Sequence, residues 1–127
     1  MVLGLGIDII EIDRVKKSIE VYGNKFLDKV FTEAEIKYCD KKFNRFQHYA
    51  ARFAAKEAVY KALASGWQEG LRWKDIEIQN DASGMPSVNT TGKLKSFLAD
   101  NTQLRISISH SENYVTAAAI IFKSSNN

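Results

Sequence analysis

From Arg52 to Leu63 the chain reads Arg-Phe-Ala-Ala-Lys-Glu-Ala-Val-Tyr-Lys-Ala-Leu, with no Gly or Pro and many strong helix formers. Ala50, Ala54, Ala58 and Ala62 recur every four residues, so their methyl groups form one narrow stripe along a helix. A stripe that bare lets another backbone approach closely, and few folds use such an approach. Glu57 and Lys61 stand one turn apart, and Arg52 and Lys56 add positive charge. Read alone, Glu57 and Lys61 are either a surface ion pair worth about 0.3 kcal/mol or a carboxylate that holds a metal beside a lysine that holds phosphate. The helix by itself leaves both open.

A second bare surface lies at the start of the chain. Val2 to Ile10 reads as a strand, with Leu3, Leu5, Ile7 and Ile9 on one side and Gly4, Gly6 and Asp8 on the other. Glycine has no side chain to pack, so this face marks close approach by a backbone or a ligand. The Ala stripe is then the side that holds the central helix close to the sheet. Asp8 ends the glycine face with cleared space beside it, and either caps the next helix or does chemistry.

Asp13 to Tyr22 is expected to be a helix ended by Gly23-Asn24, and Lys25 to Phe31 a short link with room for one helical turn. Thr32 and Glu35 form a capping box that opens a helix to about Asp40. After a basic loop from Lys41 to Arg45, the central helix is expected from Phe46 to Ala64, stopped by Ser65-Gly66. Trp67 to Lys74 reads as loop, Asp75 to Asn80 as a strand, Asp81 to Pro86 as a turn and Ser87 to Thr90 as the returning strand. A helix from Gly92 to Asn101 precedes a final hairpin. Its first strand alternates Leu104, Ile106 and Ile108 against Arg105, Ser107 and Ser109; its second runs from Tyr114 to Phe122. Helices cluster and strands cluster. The expected class is α+β: one domain over residues 1–127, with a mainly antiparallel sheet packed against the long central helix and shorter helices.

No apolar run approaches the roughly 20 residues of a membrane span, the first residues do not form a signal peptide, and Cys39 is the lone cysteine. These features point to a cytoplasmic protein with no membrane role. The net charge of +3 favours an anionic partner, but no Arg-rich run or nucleic-acid motif is present, so no nucleic acid is expected.

Nucleophile elbows, phosphate loops and zinc-ligand spacings are absent. His48 reads as a helix-surface residue. His110 sits between Ser109 and Ser111 where a strand meets a turn, a place suited to function. Asp8 and Glu57 are the best-placed carboxylates. If they converge, they repel unless a cation lies between them. Hard oxygen ligands suit Mg²⁺, which usually takes one or two carboxylates and fills its other positions with waters or phosphates. Arg52, Lys61 and His110 are available for the remaining phosphate charge. This set points to chemistry on a phosphoanhydride without saying which one.

Three segments together resemble the holo-[acyl-carrier-protein] synthase family of 4′-phosphopantetheinyl transferases, in its short trimeric form. They are Gly6-Ile7-Asp8 with Arg14 six residues after the Asp, the central Lys56-Glu57-Ala58 with Lys61, and Ser107-Ile108-Ser109-His110-Ser111. Phe31-Thr32 with Glu35, and Gly84-x-Pro86, also fall where the family has similar segments. The resemblance implies transfer of 4′-phosphopantetheine from coenzyme A to a serine of an acyl carrier protein. It implies Mg²⁺ on Asp8 and Glu57, with Lys61 on the pyrophosphate; the chemistry then makes Glu57, directly or through a metal-bound water, the candidate base. It places Arg52, Gly84, Pro86, Ser109, His110 and Ser111 around coenzyme A. Arg14, with Lys17 and Lys25, would face the acidic carrier, and a homotrimer would form active sites between subunits, suiting the bare glycine face. The residue chemistry alone also allows a Mg²⁺-dependent hydrolase of nucleotide anhydrides or a non-catalytic basic binding module.

Overall fold

A computed structural model describes residues 1–63, 70–98 and 100–124. In chain order the elements are β1 (Val2–Glu11), α1 (Ile12–Tyr22), α2 (Asn24–Val30), α3 (Glu33–Asp40), α4 (Arg45–Ala62), a 3-10 turn (Trp73–Asp75), β2 (Ile76–Asn80), β3 (Pro86–Thr90), α5 (Gly92–Phe97), β4 (Thr102–His110) and β5 (Tyr114–Lys123). The strands form an antiparallel three-stranded sheet in the order β1-β5-β4 and a separate β2-β3 hairpin. The architecture is therefore α+β with α4 at its centre, as expected. No helix among the described residues is long and apolar enough to cross a membrane.

The two bare surfaces meet. Ala50, Ala54, Ala58 and Ala62 are all buried. A Cβ built on Gly4 would lie 1.7 Å from the Ala62 carbonyl oxygen, and one on Gly6 would lie 2.0 Å from that of Ala58. The glycine face is thus filled by the chain's own helix, which corrects its expected part in a subunit contact. The opposite face carries that exposure. Leu5, Ile7 and Ile9 are exposed, and across the sheet they align with Ile120, Ala118 and Thr116 of β5 and with Arg105, Ser107 and Ser109 of β4. Gly6→Ala should lower stability by about 3 kcal/mol, because the new methyl meets backbone rather than a movable side chain. A urea midpoint equal to wild type would refute this account of the β1–α4 contact.

Several expected element ends shift. The link at 25–31 is a two-turn helix, because Gly23, at φ 54°, turns the chain and its carbonyl accepts the N–H groups of Phe26 and Leu27. The helix α5 stops at Phe97, and Asn101, at φ 66°, redirects the chain near the start of β4. Asp75 belongs to the 3-10 turn, and Pro86 opens β3, where a missing N–H is tolerated. The helix α4 runs from Arg45 to Ala62, with Leu63 already extended. The expected stop at Ser65-Gly66 and the loop at Trp67 lie outside the described residues.

Two of the buried charged side chains are paired in the core. Lys56 and Glu35 form an ion pair at 2.7 Å with both side chains fully buried. The Lys56 ammonium also donates to the carbonyls of Ile76 at 2.6 Å and Trp73 at 3.1 Å. Glu35 completes the expected capping box, accepting from the Thr32 N–H at 2.9 Å, and takes the Ile78 N–H at 2.9 Å. Lys56 is therefore an internal clamp joining α3, α4 and β2, not part of an exposed positive row.

Candidate active site

Packing α4 on the glycine face brings Asp8, Glu57 and Lys61 together. Thr116 donates through Oγ1 to the Asp8 carbonyl at 3.0 Å, fixing the end of β1 against β5. The Lys61 ammonium donates to Asp8 Oδ1 at 2.9 Å and to the Ile7 carbonyl at 3.3 Å. The lysine thus bridges helix to strand, where the sequence alone suggested a pair along the helix with Glu57. The Asp8 side chain is 14% exposed and that of Lys61 53%, so this contact is open to solvent on one side.

Glu57 is half-buried. Burial pushes its carboxyl above the usual carboxylate range; the negative charge of Asp8 pushes the same way, and Lys61 partly opposes them. A cavity of about 320 Å³ opens beside the two carboxylates, lined also by Arg14, Ser18, Phe26 and Phe53. No group of three or more His, Cys, Asp or Glu side chains that could hold a metal occurs among the described residues. The donor set is therefore two carboxylate oxygens and open space. That suits a hard divalent cation which keeps its remaining positions for water or phosphate. The charge repulsion felt by Glu57 is relieved by such a cation, so the residues fit Mg²⁺.

Arg52 does not join this group. It is buried, with its guanidinium 4.2 Å from the Tyr38 ring and its Nη2 donating to Asn80 Oδ1 at 2.7 Å. Asn80 in turn donates through Nδ2 to the Gly84 carbonyl at 3.1 Å. Gly84 takes φ 87° in a turn where Asp81 Oδ1 accepts the N–H groups of Ser83 and Met85. Pro86 lines a cavity of about 320 Å³ between β3 and β4. Lys42 stacks over the same Tyr38 ring at 4.8 Å, and His48 meets it edge-on at 5.7 Å. His48 is half-buried rather than a surface residue. Its proton affinity is lowered first by burial, then by the charges of Arg52, Lys42 and His110.

His110 therefore lies toward the Arg52 group. It ends β4 opposite Val115, which pairs on its other side with Ile10, so β5 separates it from β1. Ser109 and Ser111 are exposed beside it, and the Ser111 N–H closes the turn onto the Tyr114 carbonyl. The expected single cluster of Asp8, Glu57, Lys61, Arg52 and His110 is corrected to two sets within the chain. Asp8, Glu57, Lys61 and Arg14 form one. Arg52, Asn80 and Gly84 are joined by hydrogen bonds, with Pro86 just beyond that turn, and His110 lies at the end of β4 across β5 from β1. Arg14, Lys17 and Lys25 are exposed, and Lys17 pairs with Asp13 at 3.3 Å. Sequence reasoning missed Asn80. Its one signal was an amide placed just before an Asp-x-x-Gly turn.

Comparison with known proteins identifies the family. Residues 4–119 match the model of the 4′-phosphopantetheinyl transferase superfamily. The holo-[acyl-carrier-protein] synthase of Protochlamydia amoebophila is 48% identical over 94% of this chain and 98% of its own length. That of Chlamydia trachomatis serovar L2 is 51% identical over 92% of this chain and 97% of its own. The crystal structure of the Bacillus anthracis holo-(acyl-carrier-protein) synthase, in complex with CoA (3′,5′-ADP), superposes with a TM-score of 0.81 at 33% identity, covering 98% of this chain and 99% of that one. With its bare strand packed on an Ala-striped helix and its converging carboxylates, the chain belongs to the holo-[acyl-carrier-protein] synthases of the 4′-phosphopantetheinyl transferase superfamily.

Proposed function

We infer that this protein transfers 4′-phosphopantetheine from coenzyme A to a serine of an apo acyl carrier protein. The observation that carries the reading is the convergence of Asp8 and Glu57 beside Lys61 in an open cavity. The serine oxygen bonds to the phosphorus that bears pantetheine. The bond from that phosphorus to the bridging oxygen breaks, and adenosine 3′,5′-bisphosphate leaves.

Asp8 and Glu57 would hold Mg²⁺, which when bound neutralises pyrophosphate charge. Glu57, half-buried at the cavity beside Asp8, takes the serine proton directly or through a metal-bound water. Lys61, half exposed at the end of a flexible stem, adds positive charge at the phosphates. Arg14 stands at the same cavity and, with Lys17 and Lys25, offers the acidic carrier a basic surface. Arg52, Gly84, Pro86, Ser109, His110 and Ser111 take the nucleotide end of coenzyme A.

Because β5 stands between the His110 edge and β1, we assign the two halves of one working site to neighbouring subunits of a homotrimer. The exposed row of Leu5, Ile7 and Ile9 is the face such a trimer would cover. A cytoplasmic location suits coenzyme A and the carrier as substrates.

Purified protein incubated with coenzyme A and an apo carrier should add the mass of one phosphopantetheine to the carrier. Chelator should stop the reaction and added Mg²⁺ restore it. Phosphate release without carrier modification would replace the transferase by a hydrolase. Metal-independent binding without turnover would leave only a basic module.

A further inference from the structure

Arg52 presents an unusual problem. Its side chain is 3% exposed, yet no carboxylate among the described residues lies within 4.0 Å of its guanidinium. Its Nε is buried with no hydrogen-bond partner. A buried charge left this way is costly until an anion or further hydrogen bonds compensate it. Among the described residues its one side-chain hydrogen bond is to a neutral amide, Asn80. That amide is used at both ends, since Oδ1 accepts from Arg52 at 2.7 Å and Nδ2 donates to the Gly84 carbonyl at 3.1 Å. The two contacts fix which way the amide points. They also tie a guanidinium on α4 to the turn between β2 and β3.

We propose that Asn80 is a positioning residue for coenzyme A: it braces Arg52 against the Gly84 turn while leaving the guanidinium charge free for a nucleotide phosphate. This rests on the reading that Arg52 and the Gly84–Pro86 segment take the nucleotide end. An acid at position 80 would hold Arg52 equally well but would neutralise it. It would also lose the donor to Gly84 and set a carboxylate against that carbonyl. Coenzyme A binding and protein stability are then expected to move apart.

The test uses the full chain with coenzyme A, apo carrier and Mg²⁺. Asn80→Asp should raise the KM for coenzyme A and the Kd for 3′,5′-ADP about tenfold, the factor expected for one charge-assisted contact. The KM for the carrier and kcat should stay within about twofold, and the melting temperature should hold or rise as Arg52 gains a counterion. Asn80→Ala, which removes the brace without adding charge, should raise both constants by a smaller factor of about three. A purely structural role predicts the reverse for Asn80→Asp: unchanged coenzyme A constants in a protein of altered stability. Arg52→Gln separates the two levels. If it leaves 3′,5′-ADP binding unchanged, the nucleotide reading of this group fails. If it weakens binding while both folded Asn80 variants bind normally, the role of Asn80 alone is overturned.

Discussion

Glu57→Gln should lower turnover about a thousandfold at saturating Mg²⁺ and leave the fold intact, since it removes a base and an anionic ligand in one isosteric change. Asp8→Asn should cost a comparable factor. The Asn oxygen still accepts from Lys61, so the strand–helix contact survives while the ligand charge is lost. Near-normal turnover by either variant would remove that carboxylate from the site. The two differ in a way that titration can read. Glu57 is held above the usual carboxylate range first by burial and then by Asp8. In metal-free Asp8→Asn, the Glu57 carboxyl should therefore titrate at lower pH, while burial keeps it above an exposed glutamate. Carbon-13 NMR of the side-chain carboxyl measures this directly, and an unmoved midpoint would mean the two groups do not sense each other. The sign for stability follows. The folded value is raised, so the stabilising protonated form is fully present below the unfolded value and is lost as pH rises through the folded one. Activity runs the opposite way, because the base must be ionised.

Local periodicity made part of this site legible. The Ala stripe, the Gly4-x-Gly6-x-Asp8 alternation and the Thr32–Glu35 capping box each depend on spacings of two to four residues, and each has the structural role expected of it. Partners far apart in sequence were not legible. Lys61 finds Asp8 across 53 residues, Arg52 finds Asn80 across 28, and Lys56 finds Glu35 across 21. Helical phase says that Lys56 and Glu57 point about 100° apart, but not which of them points inward. The helix α2 was read as a link because Gly23-Asn24 looks like a stop, while in the fold Gly23 both ends α1 and caps the next turn. His110 was placed correctly at a strand end. Its distance from Asp8 depends on β5 running between β4 and β1, which no local pattern encodes.

Lys56→Met should be among the most destabilising single substitutions, lowering unfolding free energy by about 4 kcal/mol, because it leaves the fully buried Glu35 without its counter-charge. Glu35→Gln should cost less, since Lys56 keeps the Ile76 and Trp73 carbonyls and the one amide oxygen still accepts from Thr32, although the Ile78 N–H loses its acceptor. Burial pushes the Lys56 ammonium below the usual lysine range and the ion pair with Glu35 opposes this in part, so the two groups depend on each other. In a double-mutant cycle, the combined loss should therefore fall short of the sum by about 1 kcal/mol or more. Additive losses in urea denaturation would show that the pair is not coupled. A loss under about 1 kcal/mol for Lys56→Met would mean that the core can take an unpaired Glu35. The pair also bears on chemistry through geometry alone. Lys56 anchors one face of α4 to α3 and to the carbonyls of Trp73 and Ile76. Glu57, the next residue, faces the cavity beside Asp8 because its neighbour is held in the core. A helix that loses its internal anchor can rotate or shift, and the residue it aims is an acid that must meet a second acid. Folded Lys56→Met should therefore lose kcat more steeply than it raises the KM for coenzyme A. An unchanged kcat in the folded fraction would leave the anchor a matter of stability alone.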